Sequence, residues 1–211
     1  MPDRSLPAVR QNSPAGAPSP APGGGSVSAL ISSLGASLAR MVGHLTVTKK
    51  KYMKLEVSIK NDFEHALSHL EVIKDELIIL IDKDTLAFNE IMNAYKLSKD
   101  EPDIRSKAIE DATLHAIEIP YRVSLISLKA LELLPTILSV GNKQAISDLG
   151  VAVLSLSSGI EGALYNVAIN LPGISDQETK AFYTKEYHQI LKATHSIKEE
   201  LLALVYKALT I

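Results

Sequence analysis

Two carboxylates, Asp82 and Asp84, stand two residues apart in a stretch with helical periodicity, Leu70 to Lys96. At ~100° per residue, Leu70, Ile73, Leu77, Ile81, Phe88, Ile91 and Tyr95 form one apolar face. Asp84 falls in the middle of that face. Asp82 falls on the opposite, polar one, with Thr85, Asn89, Asn93 and Lys96. A carboxylate on a buried face is costly unless it is paired or protonated. Burial raises its pKa, which suits a group that takes and gives a proton near neutral pH. Asp84 is therefore the candidate general acid or base, with Asp82 as a second carboxylate beside it. The competing reading is a buried Asp that caps a helix or pairs with a structural Lys or Arg.

Four other patterns carry possible chemistry. Pro22-Gly23-Gly24-Gly25-Ser26 leads into a helix, whose free N–H groups can bind a carboxylate or phosphate. No Gly-Lys-Ser/Thr follows and no strand precedes, so it is neither a P-loop nor a dinucleotide fingerprint. A flexible joint is the plainer reading. Lys49, Lys50 and Lys51 suit an anionic ligand tail, or simply the positive end expected at a helix C-terminus. Between Lys143 and Leu171, a stripe of Asp148, Ala152, Ser155, Gly159, Asn166 and Asn170 is small in the middle and polar at both ends. It admits a flat ligand or, equally, a closely packed helix. Asp62, His65 and His69 share a helix face with metal-like spacing, but exposed charge surrounds them and a solvated face is favoured. No second Glu-x-x-His supports a di-iron bundle, and no Gly-x-Ser-x-Gly elbow is present.

Composition narrows the classes further. The chain has 211 residues, with 22 Lys+Arg against 24 Asp+Glu and a net charge of -2. That balance disfavours a general nucleic-acid binder. The absence of cysteine excludes disulfides, thiolate zinc sites and a thiol nucleophile. Apolar residues reach 46% while aromatics are only 5%, so the core must be aliphatic and small. Ser26 to Thr48 and Leu149 to Leu171 are apolar enough to test as membrane spans. The first carries Arg40 and His44, the second Glu161, Asn166 and Asn170, and such groups are expensive in lipid. Buried helices of a cytoplasmic protein are expected, with no membrane partner. Residues 1–22 lack the apolar core of a secretory signal.

The elements that must position these residues are all helices. Residues 1–25 hold six of the ten prolines and four of the eleven glycines; residues 1–22 read as a flexible tail and 23–211 as one helical domain. No period-two alternation or hairpin dipeptide appears. Helix one starts with Ser26 as N-cap and runs to about Thr48. Val27, Leu30, Leu34, Leu38, Met41 and Leu45 form its aliphatic face, and Ser28, Ser32, Gly35, Ala39 and Gly43 a small one. A second region, Tyr52 to Leu97, is either one spine or two helices meeting near Lys74. Asp103 caps a third, to about Val140, with Pro120 and Pro135 as breaks or kinks. Asn142 caps a fourth, to Leu171. Ser175 with Glu178 forms a capping box for the last, to about Thr210. Small-residue stripes on helix one and on the Lys143–Leu171 helix suggest close packing between subunits and a flat slot for a ligand.

Five stretches then match one family in order. They are Pro22-Gly-Gly-Gly-Ser26; Met41-Val-Gly43 with Lys49-Lys-Lys-Tyr52; Asp82-x-Asp84-x-x-Ala87-Phe88; Gly141-Asn142 followed by Ser147-Asp148; and Asn166-Val-x-x-Asn170-Leu171. Each is weak singly, but together they cover residues 20 to about 175. The chain resembles the cyclodeaminase/cyclohydrolase family. Its members are the C-terminal domain of formiminotransferase–cyclodeaminase and stand-alone methenyl-tetrahydrofolate cyclohydrolases. The resemblance implies an all-α multihelical bundle with long helices, assembling as a dimer or higher homo-oligomer. It implies a reduced-folate substrate, free or polyglutamylated, with no metal and no cofactor. The reaction is hydrolysis of methenyl-tetrahydrofolate to formyl-tetrahydrofolate, closure of formimino-tetrahydrofolate with release of ammonia, or both.

In the family the second Asp of the Asp-x-Asp motif is the catalytic candidate, which here is Asp84. The resemblance also suggests Asp148 as a fork for the pterin, with Asn142, Asn166 and Asn170 in the binding set. Lys49, Lys50 and Lys51 with Gly23, Gly24, Gly25 and Ser26 then take the glutamate tail. The chain departs from the family in its proline-rich start and in Leu97-Ser98-Lys99, where Leu-Pro-Lys is usual. The absence of a fused formiminotransferase domain tilts the expectation towards hydrolysis. The rival from another class is a non-catalytic helical folate-binding or scaffold protein, which binds without turnover.

Overall fold

The computed structural model describes residues 22–209, so the tail expected over 1–22 lies outside the described residues apart from Pro22. Six α-helices are present among them: α1 Gly24–Val47, the single turn α2 Lys50–Met53, α3 Val57–Tyr95, α4 Pro102–Val140, α5 Ile146–Asn170 and α6 Gln177–Leu209. Short 3-10 turns, Lys143–Ala145 and Leu171–Gly173, flank α5. No strand occurs among the described residues. Helix α3 is one unbroken spine through Lys74, about 58 Å long. Its buried face reads Leu70, Ile73, Leu77, Leu80, Ala87 and Ala94. Tyr95, expected on that face, is exposed. Asp84 sits between Leu80 and Ala87 on the buried line, as the wheel required.

Helix α5 is the centre of the bundle, packing on α1, α4 and α6. Its aliphatic stripe, Leu149, Val153, Leu156, Ile160, Leu164 and Val167, is buried. Its small stripe closes on the small face of α1. A Cβ on Gly159 would lie 2.0 Å from Ser32 Oγ and 2.8 Å from the Ser28 carbonyl. One on Gly35 would lie 3.0 Å from the Ala152 carbonyl. The small stripes thus meet each other within one chain. That corrects the expectation that they pack between subunits, and backbone fills the flat slot expected between them. The aliphatic face of α1 is correspondingly turned outward.

Several caps also differ from expectation. Helix α1 begins at Gly24 with Gly23 as N-cap, so the Ser26 hydroxyl is free for other work. Glu101 precedes α4 and Pro102 opens it, with Asp103 in the first turn rather than capping. At α6 the Asp176 carboxylate accepts the Thr179 N–H at 2.8 Å, while the Ser175 N–H and hydroxyl both donate to Glu110. The predicted Ser175–Glu178 box is displaced by one residue. Helix α4 runs through both Pro120 and Pro135 without breaking. Pro120 cannot donate to the Ala116 carbonyl, and Asn170 Nδ2 reaches that oxygen from α5, at 3.5 Å. By length and composition alone, three helical segments (Gly24–Val47, Pro102–Val140 and Lys143–Gly173) could cross a membrane.

Candidate active site

The first turn of α1 is wedged between α3 and α5. No side chain separates the helices there, because Gly24 and Gly25 supply none. A Cβ on Gly25 would lie 2.0 Å from Asp84 Oδ1, and one on Gly24 would lie 2.9 Å from Asn166 Nδ2. Glycine at these two positions lets a carboxylate and an amide converge on a helix N-terminus. The first helical bond of α1 runs from Val27 N–H to the Gly23 carbonyl. The N–H groups of Gly24 and Gly25 therefore have no intrahelical acceptor.

Ser26 holds Asp84. Its hydroxyl donates to Asp84 Oδ2 at 2.8 Å and lies 3.2 Å from both the Ile81 carbonyl and Thr85 Oγ1. Burial pushes the half-buried Asp84 carboxyl above the usual aspartate range, and the Ser26 hydroxyl and N–H pull part of the way back. The arrangement serves both protonation states. With Asp84 ionised, Ser26 donates to it. With Asp84 protonated, Asp84 can donate to Ser26, whose own proton then turns to the Ile81 carbonyl. Neither state orphans a hydrogen-bonding group, so Asp84 can cycle a proton at low cost. Sequence reasoning assigned Thr85 to the polar face. It is half-buried beside Ser26, and its adjacency to Asp84 was the available signal. Asp82 is exposed.

On the α5 side, Asn166 Nδ2 donates to the Gly162 carbonyl at 2.8 Å, leaving its Oδ1 an uncommitted acceptor among the described residues. Asn170 Nδ2 donates to the Asn166 carbonyl at 2.9 Å and towards Ala116, so Asn170 ties α5 to α4. Gly24, Gly25, Ser26, Asp84, Thr85 and Asn166 thus form one cluster.

The remaining candidates lie at the other end of the bundle. Lys49 N–H donates to the Thr46 carbonyl at 3.0 Å, and Asn142 N–H donates to Thr46 Oγ1 at 2.9 Å. Asn142 Oδ1 accepts the Gln144 N–H, a cap on the 3-10 turn. Ser26 and Thr46 are about 30 Å apart along α1, and Asp148 and Asn166 about 27 Å apart along α5. Within one chain, Asp148 therefore cannot share a slot with Asn166 and Asn170. Lys49, Lys50, Lys51 and Asn142 likewise cannot reach Asp84. Motif and stripe membership grouped these residues, although the 18-residue rise from Asp148 to Asn166 along one helix already sets them at opposite ends. Asp62, His65 and His69 are exposed on α3, and no cluster of three or more metal-ligating side chains occurs among the described residues.

Residues 13–189 match the family described as Formiminotransferase-cyclodeaminase. Methenyltetrahydrofolate cyclohydrolase of Methylorubrum extorquens is 32% identical over 185 residues, covering 86% of this chain and 87% of that protein. Formimidoyltransferase-cyclodeaminase of Dictyostelium discoideum is 38% identical over 190 residues, and that of Mus musculus 32% over 188. The chain spans 34% of the length of both these longer relatives. The crystal structure of formiminotetrahydrofolate cyclodeaminase from Thermotoga maritima superposes with a TM-score of 0.73 at 27% identity, covering 92% of this chain and 90% of that one.

Proposed function

The chain belongs to the formiminotransferase-cyclodeaminase family, and on that premise we propose that it is a folate one-carbon enzyme working by acid–base catalysis at Asp84. The observation that carries this reading is the Asp84 environment: a half-buried carboxylate with a raised pKa, wedged on Gly25 and serviced by Ser26 in either protonation state. In the hydrolytic direction, water adds to the methenyl carbon and one carbon–nitrogen bond breaks. Water gives up both protons, one to the freed folate nitrogen and one to solvent. Asp84 takes the proton from water and returns it to nitrogen. In cyclodeamination, the second folate nitrogen attacks the formimino carbon and loses its proton, while the formimino =NH gains two protons, that one and one from solvent, and leaves as ammonia. The same carboxyl relays between them. No cofactor is assigned to either reaction.

The N–H groups of Gly24 and Gly25, with Asn166 Oδ1, supply donors and an acceptor for the polar edges of the substrate. Asp82, exposed on the same helix, is the second carboxylate. Asn170 positions α5. Lys49, Lys50 and Lys51 take the anionic glutamate tail, free or polyglutamylated. Asn142 and Asp148 belong to that lysine end. The protein acts in the cytoplasm as a homo-oligomer. Loss of methenyl-tetrahydrofolate absorbance on adding the protein tests hydrolysis, and ammonia release from formimino-tetrahydrofolate tests cyclodeamination. Folate binding with no turnover in either assay would establish the non-catalytic alternative instead.

A further inference from the structure

We propose that Thr85 is the solvent-side outlet of a hydroxyl relay, Asp84–Ser26–Thr85, through which the catalytic carboxyl exchanges one proton with bulk water in every turnover. The proposal deepens the reading above and rests on it for the reaction, but not for the relay itself. Three observations carry it.

The first is a departure in hydroxyl bonding. Thr46, Thr113, Thr184 and Thr194 each donate to the carbonyl four residues back, at 2.7 or 2.8 Å, the usual recourse of a threonine inside a helix. For Thr85 that carbonyl belongs to Ile81, and Ser26 Oγ occupies it instead, at 3.2 Å. Thr85 Oγ1 lies 3.2 Å from Ser26 Oγ, where either hydroxyl can donate. The Thr85 hydroxyl is thereby turned from its own helix towards the group that holds Asp84.

The second is placement. Ser26 is 2% exposed, so its hydroxyl needs an intermediary to reach water. Thr85 is half-buried, at the boundary. Asp82, three residues before it, and Asn89, four after, are both exposed, and residues at those spacings are neighbours on a helix surface. At the other end of the relay, Ser26 Oγ stands 2.8 Å from Asp84 Oδ2. The hydroxyls thus run from the carboxyl, through the contact of α1 with α3, to the exposed polar face of α3.

The third is the proton balance. Hydrolysis releases one proton to solvent per turnover, and cyclodeamination takes one from it. Substrate on the open side of Asp84 covers the carboxyl, whereas the relay reaches it from the α1 side. For release, protonated Asp84 gives its proton to Ser26 Oγ, Ser26 passes its own to Thr85 Oγ1, and Thr85 passes its own to water. Three O–H bonds break and three form, and each hydroxyl ends with one proton. Uptake is the reverse. The 3.2 Å step is long for O–H···O, as catalytic hydrogen bonds often are before substrate tightens them. Thr85 is a positioning and relay residue, acting on the reaction through Ser26 and Asp84.

Two substitutions at Thr85 test the proposal. Thr85→Val keeps the branched shape and removes the hydroxyl, while Thr85→Ser keeps the hydroxyl and removes the methyl. Thr85→Val is expected to lower kcat about ten-fold with KM unchanged, short of the ~100-fold or more that losing the acid–base group itself costs. Thr85→Ser should restore most of that loss. Imidazole buffer, raised at constant ionic strength, should lift the kcat of Thr85→Val in proportion to its concentration and leave wild type unmoved, a response that lost packing does not give. Thr85→Val with wild-type kcat, or with a loss that neither serine nor imidazole repairs, overturns the inference and leaves the Asp84 reading standing. Asp84→Asn turning over at the wild-type rate sinks that reading, and the relay's part in turnover with it. A second readout needs no substrate. Exchange of the Ser26 hydroxyl proton with solvent is read from the isotope-split Cβ resonance of Ser26 in mixtures of light and heavy water. In an Asp84→Asn background the carboxyl route is closed, and Thr85 is the outlet that remains. Adding Thr85→Val there should slow the exchange by about ten-fold, the same step read without chemistry; unchanged exchange overturns the relay. Slowed exchange in a protein inactive on both folates sinks the folate reading but not the relay.

Discussion

Gly25→Ala separates the reasoning about the site from the reasoning about the fold. The new Cβ would lie 2.0 Å from Asp84 Oδ1, 2.6 Å from Cγ and 2.8 Å from Oδ2. Non-bonded heavy atoms settle nearer ~3.5 Å, so the carboxylate must withdraw by about 1 Å or more. It can do so by turning about its own side-chain bonds, because the three nearest atoms all belong to its side chain. Alanine is also the better helix former, by up to about 1 kcal/mol in a helix interior. The fold should therefore survive unharmed. The Ser26–Asp84 bond, 2.8 Å in the native site, should not survive. A misplacement near ~1 Å costs on the order of 100-fold in rate, or about 2.7 kcal/mol of transition-state stabilisation. The assay is kcat/KM on methenyl- and formimino-tetrahydrofolate beside a thermal melt. Gly24→Ala is the graded control, because its Cβ meets Asn166 Nδ2 at 2.9 Å and should cost distinctly less. Gly25→Ala with kcat/KM within a few-fold of wild type would refute the placement of Asp84 as the proton-transfer group. A collapse in melting temperature would refute the claim that the clash is local.

Asp84→Asn should lower turnover about 10³-fold while leaving helicity intact by circular dichroism. It should also change the pH dependence of stability. The folded carboxyl holds its proton above the usual aspartate range, so native protein loses stability as pH rises through the interval from that range to the raised value. The wild-type penalty relative to Asp84→Asn should be absent at acidic pH and present at neutral pH, read from denaturant midpoints. Ser26→Ala removes a hydrogen bond that lowers the Asp84 pKa, so the rising limb of the kcat/KM–pH profile should move to higher pH, with about a ten-fold loss at neutrality. Gly159→Ala pushes into Ser32 and into the Ser28 backbone. It should cost about 1–3 kcal/mol, lowering the melting temperature by several degrees.

The helical periodicity was legible because each long helix has one face against the bundle. Asp84 was legible for the same reason: a charge falling within the Leu77, Ile81 and Phe88 face breaks a pattern. What pattern could not supply was the partner of each face. On α1 the aliphatic stripe looks like core and the small stripe looks like a slot, yet close backbone approach to α5 buries the small side and turns Leu34 and Met41 outward. Tertiary proximity decided that, and no local propensity encodes it. At Pro120 a break or a kink was expected; the helix does not break there, and Asn170 on another helix reaches the orphaned carbonyl. The candidate site split for a further reason. Gly24 and Asn166 converge because α1 and α5 are packed side by side, whereas Asn142 and Asp148 mark the far end of that same packing.

The seam between α1 and α5 is built from Ser28, Ser32, Gly35, Ala152, Gly159 and Gly162, residues with one rotatable side-chain bond or none. Ordering them gives up little side-chain entropy on folding. It also leaves the seam little to adjust, since few rotamer changes are available to absorb a displacement. Helix α1 is thereby located by backbone against backbone, and it carries Gly25 and Ser26 to Asp84 as a fixed datum rather than as a cushioned contact. A core of large aromatic side chains would have filled the same volume while transmitting its own looseness to the carboxylate. The scarcity of such side chains is thus a specification of tolerance, set where a proton must be handed over within a fraction of an ångström.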